Sequence, residues 1–112
     1  MIEQIPHPLV RRDVDEIVDH ILMSTAGNYA AADRRVAEVD ALLASIAANP
    51  RSGTRLGPPF SGWLVRHGGR GQAITVAFRP APDLQAVYIA LVAFGGQDWM
   101  MRLAPRRDFD RG

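Results

Sequence analysis

Residues 63–79, WLVRHGGRGQAITVAFR, gather Arg66, His67, Arg70 and Arg79 around a glycine-rich turn between two apolar runs. Guanidinium forks match phosphate and carboxylate oxygens two at a time, and a histidine exchanges a proton near neutral pH. Three roles fit such a cluster: a site that breaks a phosphodiester, a binding patch, or the solvated end of a hairpin. Neighbours on a strand point to opposite faces, so Arg66 and His67 reach one substrate only where the strand ends or bulges between them. That constraint favours binding over catalysis.

Other candidate chemistry is thinner. GGRG has the composition of a phosphate loop, but it joins strand to strand where such a loop joins strand to helix. Glu16 and His20 stand one helical turn apart, a spacing metal ligands use; with no third ligand nearby, a surface ion pair is expected and no metal. Trp63 and Trp99 are candidate interface anchors, Trp63 equally a core residue. The chain has no cysteine, which removes disulfides, thiolate metal sites and cysteine nucleophiles together. No cofactor is expected.

All 13 basic side chains are arginine, set against 12 acidic residues, for a formal net charge of +1. Such balance speaks against a whole-surface nucleic-acid binder and against sequence-specific nucleic-acid binding, while leaving room for a local patch. The longest apolar run, residues 86–94, falls well short of the ~20 residues that span a bilayer, and the amino terminus lacks the apolar run of a signal peptide. A soluble cytoplasmic chain without a membrane partner is expected.

The elements that must position these residues are legible as periods. Val10, Val14, Ile17, Val18, Ile21 and Leu22 make one apolar stripe on a helix of about three to four turns. Asp13, Asp15, Glu16 and Asp19 read mostly as the opposite, polar side near the helix amino terminus, with Arg12 and Glu16, and Arg11 and Asp15, spaced to pair. After the break STAGN, Tyr29, Ala32, Val36, Val39, Leu43 and Ile46 alternate steps of three and four, predicting a second helix antiparallel to the first. Asn49 and Pro50 end it, and RSGTRLGPPFSG reads as loop.

Beyond Trp63 the period becomes that of strands. WLVRH, QAITVAFR and LQAVYIALVAF, separated by GGRG and PAPD, predict a three-strand meander. In the last of these Val87, Ile89 and Leu91 are expected on one face and Tyr88, Val92 and Phe94 on the other, so both faces are apolar. A wet face would alternate apolar with polar. The second face is therefore covered by dimerisation, by a partner chain, or by carboxy-terminal residues folding back.

The order strand, two helices, three strands resembles the RelE/ParE toxin superfamily, most nearly its ParE-type members. The resemblance rests on HPLVRRDVDEIVDHI as the opening of the first helix, ANPRSGTRLGP at the end of the second, WLVRHGG with ITVAFR as the central hairpin, and VYIALVAFGGQDW as the last strand. Phe94 and Gln97 replace the histidine and arginine common at that strand's end, and MMRLAPRRDFDRG lacks the carboxy-terminal histidine or tyrosine that RelE-type ribonucleases tend to carry. The resemblance implies an α+β fold: an amino-terminal strand and an antiparallel helical hairpin packed on a small antiparallel sheet with a three-strand carboxy-terminal meander.

It implies a single toxin domain over residues 1–103 with a flexible tail over 104–112, where Arg106, Arg107 and Arg111 either fray or extend the basic patch. It further implies a toxin of a type II toxin-antitoxin system that inhibits growth by binding a protein, DNA gyrase being the usual ParE target. Arg66, His67, Arg70, Arg79 and Trp99 are the expected target-binding residues, and Val87, Ile89 and Leu91 the expected contacts of a cognate antitoxin. The alternatives are a ribosome-dependent messenger ribonuclease of RelE type using Arg66, His67 and Arg79, and a non-toxic interaction module on the same fold.

Overall fold

The computed structural model describes residues 2–110. In chain order its elements are β1 (Glu3–Pro6), α1 (Val10–Ser24), α2 (Tyr29–Ala48), β2 (Thr54–Arg55), β3 (Leu64–Gly68), a 3-10 turn (Arg70–Gln72), β4 (Ile74–Pro80), β5 (Ala86–Phe94), α3 (Trp99–Leu103) and a second 3-10 turn (Ala104–Arg106). The strands form one sheet in the order β1-β5-β4-β3-β2. The expected α+β architecture is present. Two details depart from it: β1 lies parallel to β5, making the sheet mixed, and the stretch read as pure loop contributes the short strand β2 antiparallel to β3.

The helical hairpin forms where the periods place it. Asn28 accepts the Ala31 N–H at 3.0 Å and so caps α2. Before it Gly27 holds φ +89, a conformation that side chains disfavour and that lets the chain reverse after α1. Val10, Ile17 and Ile21 of α1 and Ala32, Val39, Leu42 and Ile46 of α2 bury against Leu64, Ile74, Val76, Phe78, Val87, Ile89 and Val92 on one face of the sheet. Burying each large aliphatic side chain is worth roughly 1.5–3 kcal/mol, and this layer carries most of the core. Tyr29, expected in the seam, is instead 71% exposed, at the first residue of α2.

The last strand does not alternate strictly. Ala77 pairs with Leu91 while Phe78 pairs with Ile89, leaving Ala90 as an extra residue in β5. A bulge of this kind flips the faces of everything beyond it. Val87 and Ile89 therefore face the helices, whereas Leu91 joins Trp63, Ala77, Ala90, Ala93 and Leu103 on the other side. The three expected antitoxin contacts are corrected by this placement: Val87, Ile89 and Leu91 are 0%, 1% and 0% exposed, in two different core layers of the folded chain.

The second face is covered by the chain's own carboxy terminus. Leu103, Trp99 and Phe109, with Leu56, Phe60 and Tyr88, complete the layer. Where a flexible tail was expected from residue 104, residues 104–109 are tied down. Trp63 Nε1 donates to the Arg107 carbonyl at 2.7 Å and Arg79 Nη2 to that of Phe109 at 2.6 Å. Phe109 meets Tyr88 and His7 edge-on, with ring centroids 5.8 and 4.9 Å apart. Burial and the neighbouring Arg106 charge push the His7 pKa below its ordinary value against an opposing pull from Asp13, and the neutral ring accepts the Leu9 N–H at Nδ1, 3.0 Å away. Arg111 lies outside the described residues.

The strongest tie is ionic. Asp13, read from the sequence as part of a polar helix face, is 2% exposed. Its carboxylate takes Arg106 Nη1 at 2.7 Å and Nη2 at 3.1 Å, Arg102 Nη1 at 3.1 Å and the backbone N–H of Val92 at 3.1 Å. Arg106 Nη1 also donates to the Ala90 carbonyl at 3.0 Å. Removing one partner from a buried pair strands the other charge, so Asp13→Ala is expected to lower the unfolding free energy by about 3–5 kcal/mol, read from the urea midpoint. Leu91→Ser is expected to destabilise by about 2–5 kcal/mol in the same experiment, as a core truncation; an unshifted midpoint would return Leu91 to the surface.

Candidate functional site

The β3–β4 hairpin carries the residues with chemical potential, and its pairing decides which of them can act together. Leu64, Arg66 and Gly68 of β3 share the helix-facing side with Ile74, Val76 and Phe78 of β4; Trp63, Val65 and His67 share the other side with Thr75, Ala77 and Arg79. Arg66 reaches back toward α2 and donates to Ser45 Oγ at 2.9 Å and Ser52 Oγ at 3.1 Å. His67 faces the opposite way, exposed, with Nδ1 2.8 Å from Thr75 Oγ1. No bulge intervenes between Arg66 and His67, which pair in register with Val76 and Thr75.

Arg79 shares a face with His67 but not a neighbourhood. His67 is opposite Thr75, and Arg79 lies four residues further along β4. At about 3.3 Å per residue the two are on the order of 13 Å apart. The Arg79 guanidinium is moreover engaged. It stacks over Trp63 at 5.1 Å and over Tyr88 at 4.9 Å, and holds the Phe109 carbonyl. Cation–π contacts of this kind, partly desolvated, make it a structural clamp on the carboxy-terminal segment. The trio Arg66, His67 and Arg79 is thus not assembled around one point: one cation faces the helices, one is stacked under the tail, and the histidine stands apart from both.

What the structure does bring together is the tip of the hairpin and α2. Gly69 holds φ +73, and a Cβ there would fall 2.9 Å from Glu38 Oε1 and 3.0 Å from Ile74 Cδ1. The glycine lets the turn press onto the helix. Glu38 then accepts the Arg70 N–H at 3.2 Å and Arg35 Nη1 at 2.7 Å, while Arg35 also reaches the Arg70 carbonyl at 3.4 Å. Arg34, Arg35 and Arg70 line a depression with Ile21, Thr25, Ala31 and Glu38. Arg70 of this group was expected as a binding residue; Arg34 and Arg35 were not, because on α2 alone they read as solvated positions between seam residues.

Trp99, also expected in the site, is half-buried against the second apolar layer at the start of α3. Asp98 caps that helix by accepting the Met101 N–H at 3.3 Å. Met100 and Met101 follow, 52% and 73% exposed. Methionine suits adaptable contact surfaces. Of the expected target-binding set His67 and Arg70 are exposed, while Arg66, Arg79 and Trp99 are half-buried, Trp99 with the two exposed methionines beside it. Among the described residues no group of His, Asp and Glu side chains is placed to hold a metal ion, and Glu16 of the Glu16–His20 pair is engaged by Arg12 at 3.4 Å and Arg102 at 3.2 Å. Among the described residues no helix is long and apolar enough to cross a membrane.

No family model matches the chain, and no curated protein matches it. Among solved structures it is similar to a chain in the RelBE2 toxin-antitoxin complex from Mycobacterium tuberculosis, at a TM-score of 0.55 and 18% sequence identity, over 83% of this chain and 96% of that one. The likeness establishes a RelE/ParE-like fold.

A single carboxylate braces the hairpin tip. Burial raises the Glu38 pKa, but the Arg35 hydrogen bond, the Arg70 N–H and both guanidinium charges outweigh it, so the carboxyl sits below its ordinary value of 4.5. A depressed carboxylate contributes stability in full above the unfolded value and loses it as pH falls through the folded one. Amide exchange at Arg70 and Gln72 is expected to accelerate, relative to β4, as pH drops below 4.5, and Glu38→Gln is expected to show the faster exchange at neutral pH already. Equal protection in the variant would mean that Glu38 does not hold the turn.

Proposed function

We propose that this chain is the toxin of a type II toxin-antitoxin pair, acting in the ParE manner: it inhibits growth by binding a protein target, DNA gyrase first among the candidates, and is neutralised by a cognate antitoxin. The observation that carries this reading is the dispersal of Arg66, His67 and Arg79. Breaking a phosphodiester needs a base and a phosphate clamp within hydrogen-bond reach of one reacting centre. Here the one exposed histidine of the hairpin has Thr75 as its side-chain partner, and Arg79 is spent on the tail. An exposed Arg70 on a braced turn is, by contrast, suited to contact a partner.

The likeness to a chain of a solved toxin-antitoxin complex supports the toxin-antitoxin part of the proposal. The RelBE2 name of that complex favours a second reading, a RelE-type messenger ribonuclease. It requires the carboxy-terminal segment to leave Arg79.

Induced expression in a bacterium, followed by pulse labelling, separates the two. The expected outcome is that DNA synthesis fails first, with filamentous cells, and that purified protein inhibits gyrase supercoiling. His67→Ala with Arg70→Ala should abolish growth inhibition while leaving the unfolding free energy, read from urea melts, within about 0.5 kcal/mol of the parent, both side chains being exposed. Protein synthesis failing first, with new messenger ends mapped on translating ribosomes, would establish the ribonuclease instead. Harmless overexpression without any antitoxin would leave an interaction module.

A further inference from the structure

The depression between α1, α2 and the β3–β4 turn gathers more positive charge than the fold uses. It has a volume of about 240 Å³, and its charged lining is Arg34, Arg35 and Glu38 of α2 with Arg70 of the turn. Residues 31, 34, 35 and 38 lie on one stripe of the helix, at the steps that bring side chains onto a common face. Three guanidiniums therefore share this space with a single carboxylate, and two positive charges are left uncompensated. Asp33, the acid nearest to Arg34 in sequence, is turned about 100° around the helix from it and is not part of the lining.

The fold holds this arrangement in place. Gly69, at φ +73, lets the turn come so near α2 that a Cβ would meet Glu38 Oε1 at 2.9 Å. Glu38 accepts the Arg70 N–H and Arg35 Nη1, and the Arg35 guanidinium also lies over the Phe94 ring, 5.2 Å from its centroid. Arg34 and Arg70 are exposed, and among the described residues neither guanidinium has a hydrogen bond or an ion pair. One cation is fixed and two can close on a ligand. Like charges gathered in one depression repel one another. An anion between them turns that repulsion into attraction.

We propose that this depression binds the phosphate group of a small phosphate monoester. Guanidinium forks match phosphate oxygens two at a time, and the charge of such a group at pH 7, about −1.5 to −2, balances the two uncompensated cations. A carboxylate or a phosphodiester carries one charge and offsets half of it. Thr25, also in the lining, already donates its hydroxyl to the Ile21 carbonyl and accepts the Asn28 N–H, so recognition falls to the arginines. Phe94 is half-buried, with Arg35 over its ring and His20 against it, and offers no open face for a base to stack on. The ligand is thus defined by its phosphate rather than by a nucleobase. In the function proposed above Arg70 contacts the target, so a bound phosphate withholds it; that consequence alone rests on that reading.

The test is an NMR titration of the isotope-labelled full chain with inorganic phosphate, adenosine monophosphate and cyclic adenosine monophosphate, followed at the Arg70 and Gln72 amides and the arginine Nε–H groups. Saturable shifts are expected with the first two at similar affinity, and at least about tenfold weaker binding of the cyclic compound, whose diester is singly charged. Arg34→Ala and Arg70→Ala are each expected to weaken nucleotide binding about tenfold. Both side chains are exposed, so these variants keep the fold. Arg51→Ala with Arg55→Ala, in the cleft beside Trp63, is expected to leave binding unchanged. Equal affinity for the cyclic diester, an equal loss in the Arg51 and Arg55 variant, tighter binding of an oligouridylate without a terminal phosphate, or no saturable shift at Arg70 each overturns the inference. Binding is read without growth, so its failure is distinct from failure of the toxin reading.

Discussion

The arrangement of this protein depends on what happens to β5 where β1 runs out. β1 pairs only with residues 86–89, and the strand continues to Phe94 with its outer backbone groups unpartnered by any strand. Buried and unsatisfied, each such group costs about 1–3 kcal/mol. The chain resolves this with side chains: Asp13 takes the Val92 N–H and Arg106 donates to the Ala90 carbonyl. Because the two side chains also pair with each other, α1, the edge of β5 and the carboxy-terminal turn meet at one point. A buried ion pair often contributes little net stability over apolar residues. Its effect here is geometric, since both guanidiniums of residues 102 and 106 converge on Asp13.

That placement decides the state of the second sheet face. With Arg106 anchored, Leu103 falls onto Leu91 and Ala93, and the Arg107 and Phe109 carbonyls come within reach of Trp63 and Arg79. A strand apolar on both sides therefore needs no partner chain to cover it. What stays exposed is the periphery, including the braced hairpin tip and the methionines of α3. The same closure engages Arg79 with Trp63, Tyr88 and the Phe109 carbonyl and withdraws it from the surface.

Most of the fold was legible in the sequence because its signals are local. Steps of three and four from Val10 to Leu22 and from Ala32 to Ile46 mark helices, and GGRG and PAPD between β-branched runs mark the meander. What escaped is non-local. Nothing around Ala90 signals a bulge, because the extra residue exists only relative to β4, and without it Leu91 was assigned to the wrong face. The parallel pairing of β1 depends on where α2 returns the chain. Residues 104–109 have no period of their own and are ordered by Asp13, Trp63 and Arg79 far away in sequence. One missed signal was available: Asp13 stands three residues after Val10 and four before Ile17, inside the buried stripe, where a carboxylate demands a cationic partner. At the site, the opposite facing of Arg66 and His67 followed from alternation alone. The separation of Arg79 needed the register.

The near-zero net charge is a weak guide to how such a molecule meets its partners. Its long dimension is 44 Å, whereas at physiological salt charges are screened beyond about 8 Å. Field at a patch is set by the residues within a screening length of it. Arg51 and Arg55 line a cleft with Trp63, and Asp108 and Asp110 line a second depression that shares Trp63 with it, while the Arg70 turn is partly neutralised by Glu38. The hairpin tip thus combines a restrained cation with a satisfied one.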